Sequence, residues 1–472
     1  MRKTKIICTL GPAVDSEEMV KKLILSGMDC ARLNFSHGGH EEQRLRIQTV
    51  RKASDELGRP VAILLDTKGP EIRLLTFRDH YVDLTAGQEF TLSCEDCVGT
   101  QEKVGVTFRR LAQYVNPGTR ILIDDGRIEL SVVSIKGEDV VCRVINGGRI
   151  SDHKSVNVPN VSIDMPYLSD TDRSDLRFGV EQGVDFVAGS FVRTADDMRE
   201  LRSFLDSCGG EHVQCIAKIE NMEGIHNFDE ILNLSDGVMV ARGDMGVEVP
   251  YQMLPAIQKQ LIDRCYSRGK TVVTATQMLE SMTHNPRPTR AEISDVANAI
   301  YDGTTAIMLS GETAMGDYPL EAVSTMSEIA LSTEQSIDYK EIFASRRLHF
   351  KTDFPNTIAI AACDAAHNLG AKAILVVTRS GKTADLISKY RPACDIIATV
   401  VSEEGLRQLN LAWGITPVKA CEQATHEQLL RYSIDLAVSS GKIQKGDTIV
   451  IVSGTDLTLD KSSDMLKLCV VD

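Results

Sequence analysis

The chain has 472 residues, 43% of them hydrophobic, with 12 cysteines and a formal charge of −14. That length predicts several domains around a large core, and the ordinary hydrophobic fraction excludes a disordered or membrane-spanning class. The acidic balance speaks against nucleic acid or an anionic membrane as partner, so an anionic ligand must be held by local clusters of Arg and Lys.

In chain order, the basic start Arg2-Lys3-Thr4-Lys5 is followed by only residues 6–10 as an apolar run before Gly11-Pro12. A secretory segment needs more, so the expected location is the cytoplasm. Apolar runs at 5–9, 30–36, 61–66, 186–191, 213–220, 237–241, 271–276 and 306–310 alternate with amphipathic helices. That alternation is the pattern of a (β/α)8 TIM barrel, an α/β fold. Helix signals separate the runs: Asp15 or Ser16 caps 17–25 before Gly27, and Pro288-Thr289 opens 290–301 before Gly303.

The barrel is expected in two parts, 1–70 and 166–342, around an inserted all-β lid domain at 71–165. There, short alternating runs at 81–84, 121–123 and 140–144 replace helical periodicity. Residues 343–472 read as a C-terminal open α/β domain, from segments at 357–368, 373–378, 384–390, 395–401 and 448–453. The cysteines are dispersed, several in apolar runs (Cys8, Cys215, Cys265), as small buried hydrophobes are. Cys94-Glu95-Asp96-Cys97 lacks the second pair or nearby His that a zinc site needs.

Polar side chains gather where the apolar runs end. In Arg32-Leu33-Asn34-Phe35-Ser36 a strand period aims Arg32, Asn34 and Ser36 one way and Leu33 and Phe35 into a core. Lys218 and Glu220 share a face in the same manner, and Asp66-Thr67-Lys68-Gly69-Pro70-Glu71-Ile72-Arg73 ends the third run. Arg242-Gly243-Asp244, Thr276-Gln277-Met278 and Ser310-Gly311-Glu312 end the last three. Such ends form the functional rim of a barrel. Glu220 and Asp244 can share a hard divalent ion, Arg32, Arg73 and Lys218 supply charge for phosphoryl groups, and Asn34, Ser36, Asp66 and Thr67 cluster oxygen ligands.

As a set, these motifs resemble the pyruvate kinase family over nearly the whole chain. The resemblance rests on Arg32-Leu33-Asn34-Phe35-Ser36-His37-Gly38, Leu65 to Arg73, Lys218-Ile219-Glu220-Asn221 and Ala275-Thr276-Gln277-Met278-Leu279-Glu280-Ser281-Met282. It rests also on Asn285-Pro286-Arg287-Pro288-Thr289-Arg290-Ala291-Glu292 and Met308-Leu309-Ser310-Gly311-Glu312-Thr313. It implies phosphoryl transfer from phosphoenolpyruvate to ADP, giving pyruvate and ATP, with Mg2+ (or Mn2+) and K+ as cofactors and a homotetramer as the assembly. It assigns Mg2+ to Glu220 and Asp244, and catalytic charge to Lys218, Arg32 and Arg73. The substrate falls to Arg32, Lys218, Gly243, Asp244 and Thr276, the last nearest the carbon that is protonated. K+ falls to Asn34, Ser36, Asp66 and Thr67, and the nucleotide to Asn34, His37 and Arg73. Family members with Glu at the position of Glu71 are those that need a monovalent cation. One departure is Thr194, where the family often has Lys and a contact to nucleotide phosphate.

The loop Thr378-Arg379-Ser380-Gly381-Lys382-Thr383 lies between an apolar strand and a helix, so hydroxyls, a cation and helix-terminal N–H groups suit a phosphate. The resemblance places an allosteric sugar phosphate on such a loop. Thr455-Asp456-Leu457-Thr458-Leu459-Asp460, in the distal loop 454–464, adds two carboxylates that repel a second phosphate, so a single-phosphate effector is expected in preference to fructose 1,6-bisphosphate. Two other classes compete. Another barrel enzyme of phosphoenolpyruvate chemistry lacks the long insertion and the potassium cluster, and a silent binding protein should have lost Arg32, Lys218, Glu220, Asp244 or Thr276, all of which are present.

Overall fold

A computed structural model describes residues 2–346, 353–423, 425–454 and 463–472. Eight parallel strands close a barrel: β1 Lys5–Thr9, β2 Cys30–Asn34, β3 Ala62–Asp66, β4 Phe186–Gly189, β5 Gln214–Ile219, β6 Gly237–Ala241, β7 Thr271–Ala275 and β8 Ala306–Leu309. Each pairs with its neighbours in sequence, and β1 pairs with β8. The strands are buried on both faces, which is why they read as continuous apolar runs. Inward-facing Ile7, Leu64, Phe186, Ile216, Met239 and Met308 fill the bore, and a second layer joins the strands to the surrounding helices.

Several strands stop earlier than their apolar runs suggest. β2 ends at Asn34 because the Asn34 side-chain oxygen accepts the Ser36 N–H at 3.0 Å and turns the chain, so Ser36 stands in a turn rather than on the strand. β4 ends at Gly189, and Phe191 adopts φ 53° in the bend that follows. These stops aim side chains across the rim instead of along it.

Between β3 and β4 the chain forms a six-stranded sheet and a separate two-stranded pair around its own apolar core, with one short helix, Leu111–Tyr114. Beyond the barrel, a five-stranded sheet has Ile415–Lys419, Asp395–Val400, Ala373–Thr378 and Thr448–Ser453 parallel, and Met465–Val470 antiparallel at one edge. That last strand and the strand Ile415–Lys419 went unread in the sequence.

The C-terminal domain seats against the amino-terminal mouth of the barrel. Leu411 joins the bore's own apolar cluster and plugs it. Around the plug, Arg407 Nε meets Asp185 Oδ1 at 2.7 Å, Asn410 donates to the carbonyls of Asp29 and Pro60, and Lys5 Nζ donates to the Ile415 carbonyl at 2.7 Å. The opposite mouth, where the carboxyl ends of the strands converge, stays open toward the insertion.

Candidate active site

That open mouth bounds a cavity of about 760 Å3. Arg32, Asn34, Ser36, Asp66, Lys218 and Glu220 line its barrel side, and Arg73, Asp124 and Lys154 reach it from the insertion. At its centre Lys218 Nζ lies 3.1 Å from Asp66 Oδ1 and 3.0 Å from Glu220 Oε1, and donates to Ser190 Oγ at 2.6 Å. Asp66 accepts from Arg32 Nε at 2.6 Å through its other oxygen, and Arg32 also donates to Thr9 Oγ1 at 3.0 Å. Asp66 is thus the shared anion that holds two cations on one rim.

Burial alone would disfavour the Lys218 ammonium, but Asp66, Glu220 and Asp244 together outweigh it and raise its pKa above the ordinary value. For Asp66 burial again opposes the charge, and Arg32 and Lys218 win, holding the carboxyl below its usual range. Glu220 goes the other way. Its complete burial and the nearby Asp244 charge push it up to about 8 despite Lys218 and the Phe191 N–H, which Glu220 Oε2 accepts at 2.6 Å. Glu220 Oε1 accepts no hydrogen bond from a described residue, although Lys218 is near. A buried carboxylate with one oxygen uncommitted, beside Asp244, fits a divalent cation. Among the described residues no group of three or more His, Cys, Asp or Glu is placed to hold a metal.

Residues 1–323 match the family model described as pyruvate kinase, barrel domain, and residues 356–469 that described as pyruvate kinase, alpha/beta domain. The pyruvate kinase of Staphylococcus saprophyticus is 50% identical over 473 residues, covering 100% of this chain and 81% of the relative. That of Clostridium acetobutylicum is 47% identical over 473 residues and covers 100% of both. The pyruvate kinase of Staphylococcus haemolyticus is 49% identical over 474 residues, with 100% and 81% covered. The chain belongs to the pyruvate kinase family. It is a phosphotransferase with that family's catalytic role in glycolysis.

Residues singled out by the pyruvate kinase motifs fall into two groups. Arg32, Asn34, Ser36, His37, Asp66, Arg73, Lys218, Glu220 and Asp244 all line the cavity. Thr67, Gly243 and Thr276 stand just behind it. Thr67 Oγ1 accepts the Ser190 N–H at 3.0 Å, so its hydroxyl faces that loop. Thr276 Oγ1 accepts the Gly243 N–H at 2.7 Å and donates to the Ala275 carbonyl at 2.6 Å. Arg242 fixes this pair by donating to the Thr276 and Gln277 carbonyls at 2.7 and 3.1 Å, across a turn in which both residues have positive φ. Glu71 is closed on Arg73 at 2.7 Å, so its charge is spent locally rather than on the Asn34 and Ser36 cluster.

Thr194 acts within its own helix start, where its side chain accepts the Asp197 N–H in a capping box that opens the helix Ala195–Ser207. The preceding Arg193, a cavity residue, donates to the carbonyls of Ile163 and Met165, where the chain returns from the insertion. In the C-terminal domain, Thr378 Oγ1 accepts the Gly381 N–H at 3.1 Å, Arg379 pairs with Glu422 at 2.8 Å and Thr383 Oγ1 lies 2.8 Å from Ser463 Oγ. Arg379 and Lys382 are both exposed beside the helix start. Of the distal loop 454–464, residues 455–462 lie outside the described residues.

Three cavity side chains went unread. Ser190 touches Lys218, and Lys68 and Lys154 add cations to the cavity, Lys154 paired with Asp124 at 2.7 Å. For Ser190 the signal was available, since it is the one polar residue near the end of the fourth apolar run, 186–191.

Proposed function

We propose that the chain transfers the phosphoryl group of phosphoenolpyruvate to ADP, yielding pyruvate and ATP, with Lys218 as the cation that meets the moving group. The observation that carries this is the Lys218 ammonium held between Asp66 and Glu220 beside Arg32 on one rim. Phosphoryl transfer asks little covalent work of a protein and much positioning and charge absorption. Arg32 and Lys218 bind the phosphoryl oxygens of the substrate, and Arg73, Asn34 and His37 lie toward the nucleotide. The Gly243 N–H takes the substrate carboxylate, and Thr276, released from that N–H, relays a proton through water to the enolate carbon.

A divalent ion held by Glu220 and Asp244 supplies Lewis-acid charge neutralisation when bound. The fit rests on the uncommitted Glu220 oxygen. We assign a monovalent cation, K+, to Asn34, Ser36, Asp66 and Thr67, where side-chain and backbone oxygens cluster. The insertion acts as a lid that excludes water from the phosphoryl group. A homotetramer in the cytoplasm is the proposed state. The edge strand Met465–Val470, with Leu468 and Val470 about half exposed, supports self-association, as do exposed Tyr251 and Met315 on the barrel. No described helix is long and apolar enough to cross a membrane. The loop 378–383 is the proposed seat of a phosphorylated effector.

A coupled assay of pyruvate formation, with phosphoenolpyruvate and ADP and varied Mg2+ and K+, tests the reaction. Pyruvate formed in proportion to ATP supports it, and no turnover at saturating substrate and metal overturns it.

A further inference from the structure

Ser190 stands directly after β4, 1% exposed, and both its backbone and its side chain make hydrogen bonds on the rim. Its N–H donates to Thr67 Oγ1 at 3.0 Å. Its hydroxyl accepts from Lys218 Nζ at 2.6 Å and lies 2.7 Å from the Thr67 carbonyl and 3.1 Å from Asp66 Oδ1. A hydroxyl has one proton, so the shorter contact, to the Thr67 carbonyl, takes it while the lone pairs face Lys218.

An ammonium has three N–H directions. One goes to Ser190 and one to Asp66, while the third faces Glu220 Oε1 at 3.0 Å without the alignment of a hydrogen bond. No hydrogen bond closes that third direction, so a phosphoryl oxygen arriving from the cavity can take it. Of the three partners Ser190 alone is not an ionisable group, so it fixes the ammonium in place without cancelling the charge that the transferred group must meet. The carboxylates hold Lys218 protonated; the hydroxyl decides where it points.

Ser190 also reaches the place where the chain leaves the barrel. Thr67 follows β3 and precedes Gly69, whose φ is 74°. A Cβ at Gly69 would lie 2.9 Å from both Ser190 Cβ and the Ser190 carbonyl oxygen, so glycine is what allows this close packing. The lysine, the Ser190 turn and the base of the insertion are therefore one packed unit.

We infer that Ser190 is a positioning residue for phosphoryl transfer, holding the Lys218 ammonium toward the transferred group and tying it to Thr67 at the base of the insertion. The inference rests on the reading of Lys218 given above. It applies to the step in which the bond from phosphorus to the enol oxygen of phosphoenolpyruvate breaks and that to the terminal ADP oxygen forms. The later step, in which the enolate carbon takes a proton, is independent of where Lys218 points.

The test compares the two steps in Ser190→Ala, using pyruvate formation for the first and exchange of the pyruvate methyl hydrogens with solvent for the second. Pyruvate formation should fall about 10- to 100-fold in kcat, with KM for phosphoenolpyruvate and the exchange rate each within about threefold of wild type. Added to Lys218→Met, Ser190→Ala should cost nothing further, because the group it positions is gone. If Ser190→Ala does not fold, Ser190→Cys keeps the volume with a poor acceptor, and the same measurements decide. Equal loss in both steps makes Ser190 structural only and overturns the inference. So does unchanged transfer, or a further loss in the Lys218→Met background. Normal turnover in Lys218→Met alone would instead remove the reading of Lys218, and this inference with it.

Discussion

Lys218 Nζ lies 3.0 Å from Glu220 Oε1, yet that oxygen accepts no hydrogen bond from a described residue. The two groups are close in distance and misdirected in angle, so each keeps a direction for a third party. The ammonium can meet phosphoryl oxygens while the carboxylate meets a metal. Strand alternation places both on one face at the end of β5, and the stop of the strand at Ile219 lets Glu220 turn back toward Phe191.

Metal binding should release a proton. Burial raises the Glu220 carboxyl from 4.5 to about 8, so between those values the folded metal-free protein binds a proton that the unfolded chain does not. Its stability contribution therefore falls as pH rises through that window. Mg2+ requires the ionised form, so calorimetry in buffers of different ionisation enthalpy should show release of about one proton at neutral pH, fading above about pH 8. Glu220→Gln should release none, and both it and Asp244→Asn should raise the Mg2+ midpoint about tenfold or more. Wild-type midpoints in both variants would place the metal elsewhere.

Activity should depend on a monovalent cation. Asn34, Ser36 and Asp66 reach the cavity together, and position 71 carries a glutamate, paired with Arg73, where a lysine ammonium would otherwise stand in for the cation. Turnover in buffers of large organic cations should rise severalfold on addition of K+, with Asp66→Asn losing the response. Equal rates without K+ would contradict the assignment.

Leu411→Ala should destabilise the protein by about 2–5 kcal/mol, because it opens a cavity in the bore of the barrel. Thermal unfolding at fixed protein concentration checks this. A shift no larger than that of an exposed Leu→Ala change would mean that the plug does not bear on the barrel.

A phosphorylated effector should act through the same seam. Gly381, at φ 89°, packs where a Cβ would lie 2.9 Å from Leu409, in the short turn Leu409–Leu411. A sugar monophosphate should lower the phosphoenolpyruvate KM more effectively than fructose 1,6-bisphosphate, and Lys382→Ala should abolish the response with basal turnover intact. Tighter activation by the bisphosphate reverses the preference; no response to either ligand leaves the loop without an effector role.

The barrel was legible because both-face burial makes each strand an apolar run with polar ends, and Arg32, Asp66, Lys218 and Glu220 stand at those ends. Long-range contacts left no such trace. Lys154 reaches the cavity from the insertion, and Leu411 looks in sequence like a core residue of its own domain while packing in the barrel. Hydrogen bonds also redirected side chains that spacing alone aimed at the ligand. Thr276 turns to the Gly243 N–H, and Thr378 to the Gly381 N–H. Met465–Val470 alternates too weakly between its faces to declare an edge strand.

The most direct measurement is single-turnover pyruvate formation by Lys218→Met with saturating phosphoenolpyruvate, ADP, Mg2+ and K+. The account predicts a loss of about 10³-fold or more in the transfer rate, with phosphoenolpyruvate and Mg2+ still bound within about tenfold of wild-type affinity, because the ammonium acts mainly on the transition state. A transfer rate near wild type would contradict it.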